Sequence, residues 1–271
     1  MNPWVESLAV LLLAVGGVLL GAWFSRLTRP WWLLGYFIPL SLVILYAIAT
    51  HRPALGFYPP ISWMMLGRNK FAVIGFIGSM VLTTPLLKLP LFRDRLAVSV
   101  LMIGVVLLTS VWPFLAPAFN QQFLAGLTTK IDSDGVCLQS TDYTCGPASA
   151  VTALQKLGFK ADEGEIALLA HTSSATGTPP DILAKALQNR YRSEGLKSEY
   201  RIFNDVSELK TCLPTLVVIK FSFMLDHYVT VLDVTDQEIT VGDPLSGLRK
   251  LSTAEFNDRW RLTGVVLARK H

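Results

Sequence analysis

Residues 145–159 read CGPASAVTALQKLGF. Small and apolar residues recur there at helical spacing, Pro147 stands in the first turn and Gly158 offers a C-terminal stop, so the stretch predicts a helix opening at Cys145. EGEIALLAH at 163–171 and PPDILAKALQNR at 179–190 predict two more helices, the second opened by its Pro pair. The period then changes. TLVVIKFSF (215–223), HYVTVLDV (227–234) and EITVGD (238–243) are β-branched and aromatic runs divided by turn residues, which read as strands. Ser252 with Glu255 three residues later makes a capping box for a short helix through Trp260, and LTGVVLAR (262–269) closes as a strand. Helices first and an antiparallel sheet afterwards predict one α+β domain over residues 130–271.

The preceding half has a different composition. Over the whole chain 51% of the 271 residues are hydrophobic and 16% charged, with a mean hydropathy of +0.44, which is apolar for a soluble globule. Residues 1–129 hold 8 Lys/Arg and 2 Asp/Glu, and residues 130–271 hold 16 and 18, so the net +4 divides into +6 and −2. The half that reads as soluble is slightly acidic and carries no basic stripe, which argues against nucleic acid as a partner. Ser7–Ser25, Pro30–Thr50, Phe71–Leu87 and Leu96–Thr129 contain no charged residue. A membrane-crossing helix needs roughly 20 apolar residues, so the first three runs fit one span each and the fourth one span at about 96–116. Pro117–Thr129 is then an interfacial exit segment, and Pro53–Gly67 an interfacial or re-entrant loop. Residues 1–129 therefore predict a transmembrane α-helical region of about four spans lying in the lipid bilayer. Trp4, Trp23, Trp31, Trp32 and Trp112 fall near the ends of the runs, where aromatic belts form. Glu6 in place of a basic leader region, and the length of the first apolar run, predict a span there and not a cleaved signal peptide. Four spans put Arg26, Arg29, Lys88, Arg93 and Arg95 on one side, against Arg52, Arg68, Lys70 and Lys130 on the side of the soluble half. Five basic residues against four lean toward an extracytoplasmic position for that half.

The chemistry-bearing residues lie in the second half. Cys145 opens a helix, where partial positive charge and unpaired N–H groups favour a thiolate, the nucleophilic form of cysteine. His227 opens a strand and Asp243 ends the next. Joined through the Thr235-Asp236-Gln237 turn, the two strands are antiparallel neighbours, which brings His227 and Asp243 to the same edge. A histidine oriented by a carboxylate acts as general base to a cysteine. Gln139, six residues before Cys145, is placed to offer its side-chain amide to an oxyanion. The alternatives are a satisfied core histidine, an ordinary Asp-Pro turn and a plain loop glutamine.

The sequence Gln139-Ser-Thr-Asp-Tyr-Thr-Cys145-Gly-Pro-Ala-Ser, followed by His227-Tyr-Val-Thr-Val-Leu, Gly242-Asp243-Pro244-Leu-Ser-Gly, Glu255-Phe256, Trp260 and Thr263-Gly264-Val265-Val266-Leu267, resembles the bacteriocin-processing, double-glycine-leader cysteine peptidases. The resemblance covers nearly all of residues 134–268 and none of the membrane half. It implies a papain-like cysteine peptidase fold, with Cys145 as nucleophile, His227 as general base and acid, Asp243 as orienter and Gln139 as oxyanion-hole donor beside the main-chain N–H of Cys145. The Gly177-Thr178 turn also resembles the family's pattern. Thr144 stands where the family often has Asp, and no G-x-x-x-x-G-K-[ST] phosphate loop is present. The expected protein is a membrane-anchored, multi-pass peptidase of a bacterial cytoplasmic membrane. It would cleave a peptide or protein substrate, with any transporter or other membrane partner a separate protein. The alternatives are a thiol-dependent acyltransferase or amidase acting on a membrane-associated substrate, and a non-catalytic leader-binding module.

No cofactor or metal is expected: His51 and His171 lie in loops without Cys/His spacing, and His271 is terminal. Cys137 and Cys212 are expected as two buried free thiols, a disulfide in a domain outside the cytoplasm being the alternative. Gly16-Gly17 and the Gly75/Gly78 pair are expected at helix-packing contacts.

Overall fold

The charge-free runs of the first half are helices. The computed structural model describes residues 3–28, 30–51, 68–222 and 225–270. Arg29, Arg52, His271 and the 53–67 segment expected as an interfacial loop lie outside the described residues. The chain forms two compact units, Met1–Ala118 and Phe119–His271.

In the first unit, α1 spans Pro3–Arg26, α2 Leu34–His51, α3 Asn69–Thr83 and α4 Phe92–Phe119, with a π-helical turn at Leu107–Val111. Among the described residues three stretches are long and apolar enough to cross a membrane: Pro3–Arg26, Trp31–Ile48 and Phe92–Phe119. The run expected as the third of four spans falls short. Helix α3 has 15 residues, a rise of about 22 Å against a hydrocarbon core of about 30 Å. Pro85, with no N–H to donate, follows its end, and Leu86–Lys88 continues as a 3-10 turn. One buried ion pair joins the ends of three helices. Arg68 Nη2 meets Glu6 Oε2 at 2.6 Å, and Nη1 donates to the Phe114 carbonyl at 3.3 Å. Charges among apolar helices persist where they are paired in this way. The glycines divide by face. Gly17 abuts Ser79 and Phe76, and Gly75 abuts Ser110, whereas Gly16 and Gly78 have nothing within 4 Å of where a Cβ would stand. Gly16 and Gly17 are adjacent on a helix and cannot both face one partner; Gly75 and Gly78, three apart, share a face, but only Gly75 of the two meets a neighbour among the described residues.

In the second unit, α5 (Gln121–Ala125) leads to a two-stranded ribbon of β1 (Lys130–Ile131) and β2 (Cys137–Leu138). Three helices follow: α6 (Cys145–Lys156), α7 (Glu163–Leu169) and α8 (Pro180–Tyr191). The strands are β3 (Leu196–Ile202), β4 (Thr215–Ser222), β5 (Leu225–Val234), β6 (Glu238–Asp243), β7 (Gly247–Ser252) and β8 (Trp260–Arg269). They form one antiparallel sheet in the order β3-β8-β4-β5-β6-β7. The capping box holds in part: Ser252 Oγ accepts from the Glu255 N–H at 3.2 Å. The helix it opens, α9 (Thr253–Arg259), stops one residue before Trp260, which begins β8.

Alternation along the strands divides the sheet into two cores. Val218, Tyr228 and Val265 pack with Ala148, Val151 and Leu154 of α6, while Val217, Val229 and Val241 pack with Phe256 and Trp260. Helix α6 is buried from Cys145 to Leu154, as its run of small residues allows.

Candidate active site

Three elements converge at one end of the sheet. Thr230 of β5 pairs with Gly242 of β6. His227 lies three residues back from Thr230 and Asp243 one beyond Gly242, so both odd offsets turn the two side chains to the same face. His227 Nε2 and Asp243 Oδ1 are 2.8 Å apart, and both residues are buried. The other ring partner of His227 is the Cys145 side chain. With Nε2 committed to Asp243, Nδ1 is the nitrogen left to face the sulfur. Helix α6 delivers that sulfur because its main chain is fastened to the sheet: Thr230 Oγ1 donates to the Ser149 carbonyl at 2.8 Å.

The electrostatics follow from these contacts. Burial works to lower the His227 pKa, but the hydrogen bonds to Asp243 and to Cys145 outweigh it and raise the value to about 9. Burial works the other way on Asp243, yet its bonds from His227, the Leu245 N–H and Ser246 hold its carboxyl down at about 2. The Leu245 N–H donates to Oδ1 at 2.9 Å and the Ser246 hydroxyl to Oδ2 at 2.9 Å. Arg249 approaches Oδ2 at 3.7 Å from a half-exposed position, a weak contribution in water. Sequence reasoning assigned Asp243 but missed Ser246 and the Leu245 N–H. The Asp-x-Leu-Ser spacing, with its tendency to fold back on the residue two ahead, was the available signal.

Gln139 sits on the same corner through its main chain, its N–H donating to the Pro244 carbonyl at 3.0 Å. Its side-chain Nε2 donates to the Thr141 carbonyl at 2.6 Å, and Oε1 is buried without a partner. An amide nitrogen carries two hydrogens, so one donor is committed to the loop and one remains. All three cysteines are free thiols; Cys137 is buried as expected, whereas Cys212 is only partly so. Cys137 is deep in the core, and burial, together with the charge of Glu163, raises its pKa to about 12.

Gly146 lets the start of α6 approach a fixed neighbour. A Cβ there would stand 2.9 Å from Thr178 Cβ and 3.0 Å from its hydroxyl oxygen. Thr178 is held by the Thr172 hydroxyl at 2.8 Å and by Tyr228, whose hydroxyl donates to the Thr178 carbonyl at 3.0 Å. Gly146→Ala is therefore expected to cost about 1–3 kcal/mol by overpacking, seen as a lower Tm in calorimetry. An unchanged Tm would show that Thr178 yields.

A buried cysteine, histidine and carboxylate from distant parts of the sequence thus meet at one end of the sheet of an α+β domain. Residues 134–271 match the Peptidase C39 family, and the chain belongs to it. An uncharacterised protein of Methanothermobacter marburgensis is 31% identical over 129 residues, covering 48% of this chain and 83% of that protein. One from Methanothermobacter thermautotrophicus is 28% identical over 121 residues, covering 45% and 79%. Among solved structures, the double glycine motif protease from an AMS/PCAT transporter in complex with the leader peptide matches at 19% identity and a TM-score of 0.43, over 53% of this chain and 94% of that one. The peptidase domain of Streptococcus ComA matches at 20% identity and a TM-score of 0.43, over 49% and 96%.

Proposed function

We propose that the chain is a membrane-anchored thiol peptidase, with residues 1–129 as the anchor and residues 130–271 as the peptidase domain. The observation that carries this reading is the contact chain from Cys145 to His227 to Asp243. The Cys145 thiolate attacks a peptide carbonyl, forming a C–S bond and a tetrahedral oxyanion. The Cys145 N–H and the remaining Gln139 amide donor stabilise that oxyanion. It collapses as His227 gives its proton to the leaving amine, and the C–N bond breaks. Water, deprotonated by His227, then attacks the thioester and releases the carboxylic acid and the thiol. Asp243 keeps Nε2 protonated and Nδ1 turned to sulfur. Family membership and the Gln139-to-Ser149 motif support a leader-type peptide as substrate. The apolar helices support a cytoplasmic-membrane location near substrates that reach the bilayer.

The test is labelling of the detergent-solubilised full chain with a thiol electrophile. Cys145 is expected to react faster than Cys137 and Cys212, and to lose that advantage in His227→Ala. Equal rates at the three cysteines, unchanged without His227, would leave a binding module as the better account.

A further inference from the structure

Glu163, the first residue of α7, is fully buried. A buried acid is costly unless its oxygens are satisfied. Here both are directed at one residue: Oε1 accepts the Ser140 main-chain N–H at 2.9 Å and Oε2 accepts the Ser140 hydroxyl at 2.7 Å. Ser140 is the neighbour of Gln139, whose own N–H is tied to the Pro244 carbonyl at 3.0 Å. The peptide that sets the direction of the Gln139 side chain is thus fastened on one flank to the Asp243 turn and on the other to Glu163. Glu163 is itself held from the exit segment. Its N–H donates to Thr129 Oγ1 at 2.8 Å, and that hydroxyl donates to Asp162 Oδ2 at 2.7 Å. Ser140 Oγ also reaches the Thr128 carbonyl at 3.2 Å. Gly164 next along admits the Leu124 carbonyl, which would stand 2.5 Å from a Cβ. A carboxylate is not needed merely to fill this space. Its two acceptors match the two donors of one residue, and that residue precedes the loop leading to Cys145.

We infer that Glu163 is a positioning residue for the oxyanion site: it fixes the Gln139–Ser140 peptide, and through Thr128 and Thr129 it links that peptide to the segment leaving the membrane helices. The inference rests on the proposed role of Gln139.

Two reagents separate the oxyanion site from the thiol. p-Nitrophenyl acetate acylates Cys145 through a tetrahedral oxyanion: sulfur bonds to the carbonyl carbon, and nitrophenolate departs with the C–O electron pair. Iodoacetamide alkylates the same sulfur by direct displacement of iodide, with no oxyanion. Both rates are measured on the full chain in detergent, with Cys145→Ala as the background for the other thiols. Glu163→Ala is expected to slow acylation about tenfold, while alkylation stays within about twofold of wild type. Glu163→Gln is expected to recover most of the loss, since its carbonyl accepts the Ser140 N–H and its amide donates to Ser140 Oγ, whose hydrogen turns to Thr128. Gln139→Ala combined with Glu163→Ala is expected to acylate no more slowly than Gln139→Ala alone. Should Glu163→Ala not fold, Ser140→Ala removes one of the two bonds, and a fall in acylation alone is expected. Equal losses of both rates, or multiplied losses in the double variant, overturn the inference. A wild-type chain inert to both reagents at Cys145 overturns the proposed function, and this inference with it.

Discussion

Cys145→Ser is expected to lower kcat/KM for peptide cleavage by about a thousandfold or more, equivalent to roughly 4 kcal/mol of transition-state stabilisation. The reason lies in the charge state that surrounds the sulfur. His227 is held protonated up to about pH 9 by its bonds to Asp243 and Cys145. In the proposed reaction an imidazolium beside the sulfur has its proton ready for the leaving amine. A serine hydroxyl does not ionise in that range, so no ready nucleophile stands beside His227 before attack. The serine variant therefore keeps the shape of the site and loses the reaction. His227→Ala is expected to be impaired to a similar degree, and the double variant little further, since the two groups act as one unit. Mass spectrometry of a synthetic leader-type peptide incubated with the full chain reads the rates. A serine variant retaining a tenth of the wild-type rate would remove Cys145 from the nucleophile's role.

The contacts behind this prediction were partly legible in the residues. CGPASAVTALQK forms the helix its spacing predicts, and the Thr235-Asp236-Gln237 turn makes β5 and β6 antiparallel neighbours. Because that pairing is local, the edge shared by His227 and Asp243 follows from strand direction alone. Non-local pairing was not legible. Leu196–Ile202 (LKSEYRI) carries charges at alternate positions and reads as a polar segment, yet it pairs with β8 from the far end of the domain. Gly247–Ser252 (GLRKLS) is likewise polar and becomes the opposite edge strand. Edge strands need only one apolar face, so their composition resembles that of loops. Glu163 was hidden for a related reason: an acid in the first turn of a helix reads as a solvated, dipole-favouring residue. Its burial depends on where Ser140 comes to lie. In the membrane half, apolar length was legible and helix length was not, because the run through Leu87 is broken at Pro85.

Asp243→Ala is expected to cut kcat/KM by about a hundredfold to a thousandfold, and its pH profile distinguishes a positioning role from a merely structural one. In the wild type the alkaline limb should lie near pH 9, where His227 gives up the proton needed by the leaving amine. Removing the carboxylate deletes the first of the two bonds that raise this value and leaves burial pulling downward, so the limb moves to lower pH. Asp243→Asn keeps an oxygen to accept the Nε2 hydrogen but loses the charge. Its limb should also move down, while its rate at neutral pH falls by only about tenfold. Stability carries the same signature with a fixed sign. His227 favours its protonated form in the folded chain, so its contribution is full below about pH 6.5 and is lost as the pH rises through about 9. Asp243 favours its ionised form, so its contribution is full above about pH 3.8 and is lost as the pH falls through about 2. The Tm of the wild-type peptidase domain within the full chain should therefore decline between pH 6.5 and 9, and that slope should largely vanish in Asp243→Ala. The alanine variant also strands the Leu245 N–H and the Ser246 hydroxyl, lowering stability at every pH by about 1–3 kcal/mol. An alkaline limb that stays near pH 9 in both variants would mean that Asp243 does not set the protonation of His227, and the order of roles along the contact chain would have to be drawn again.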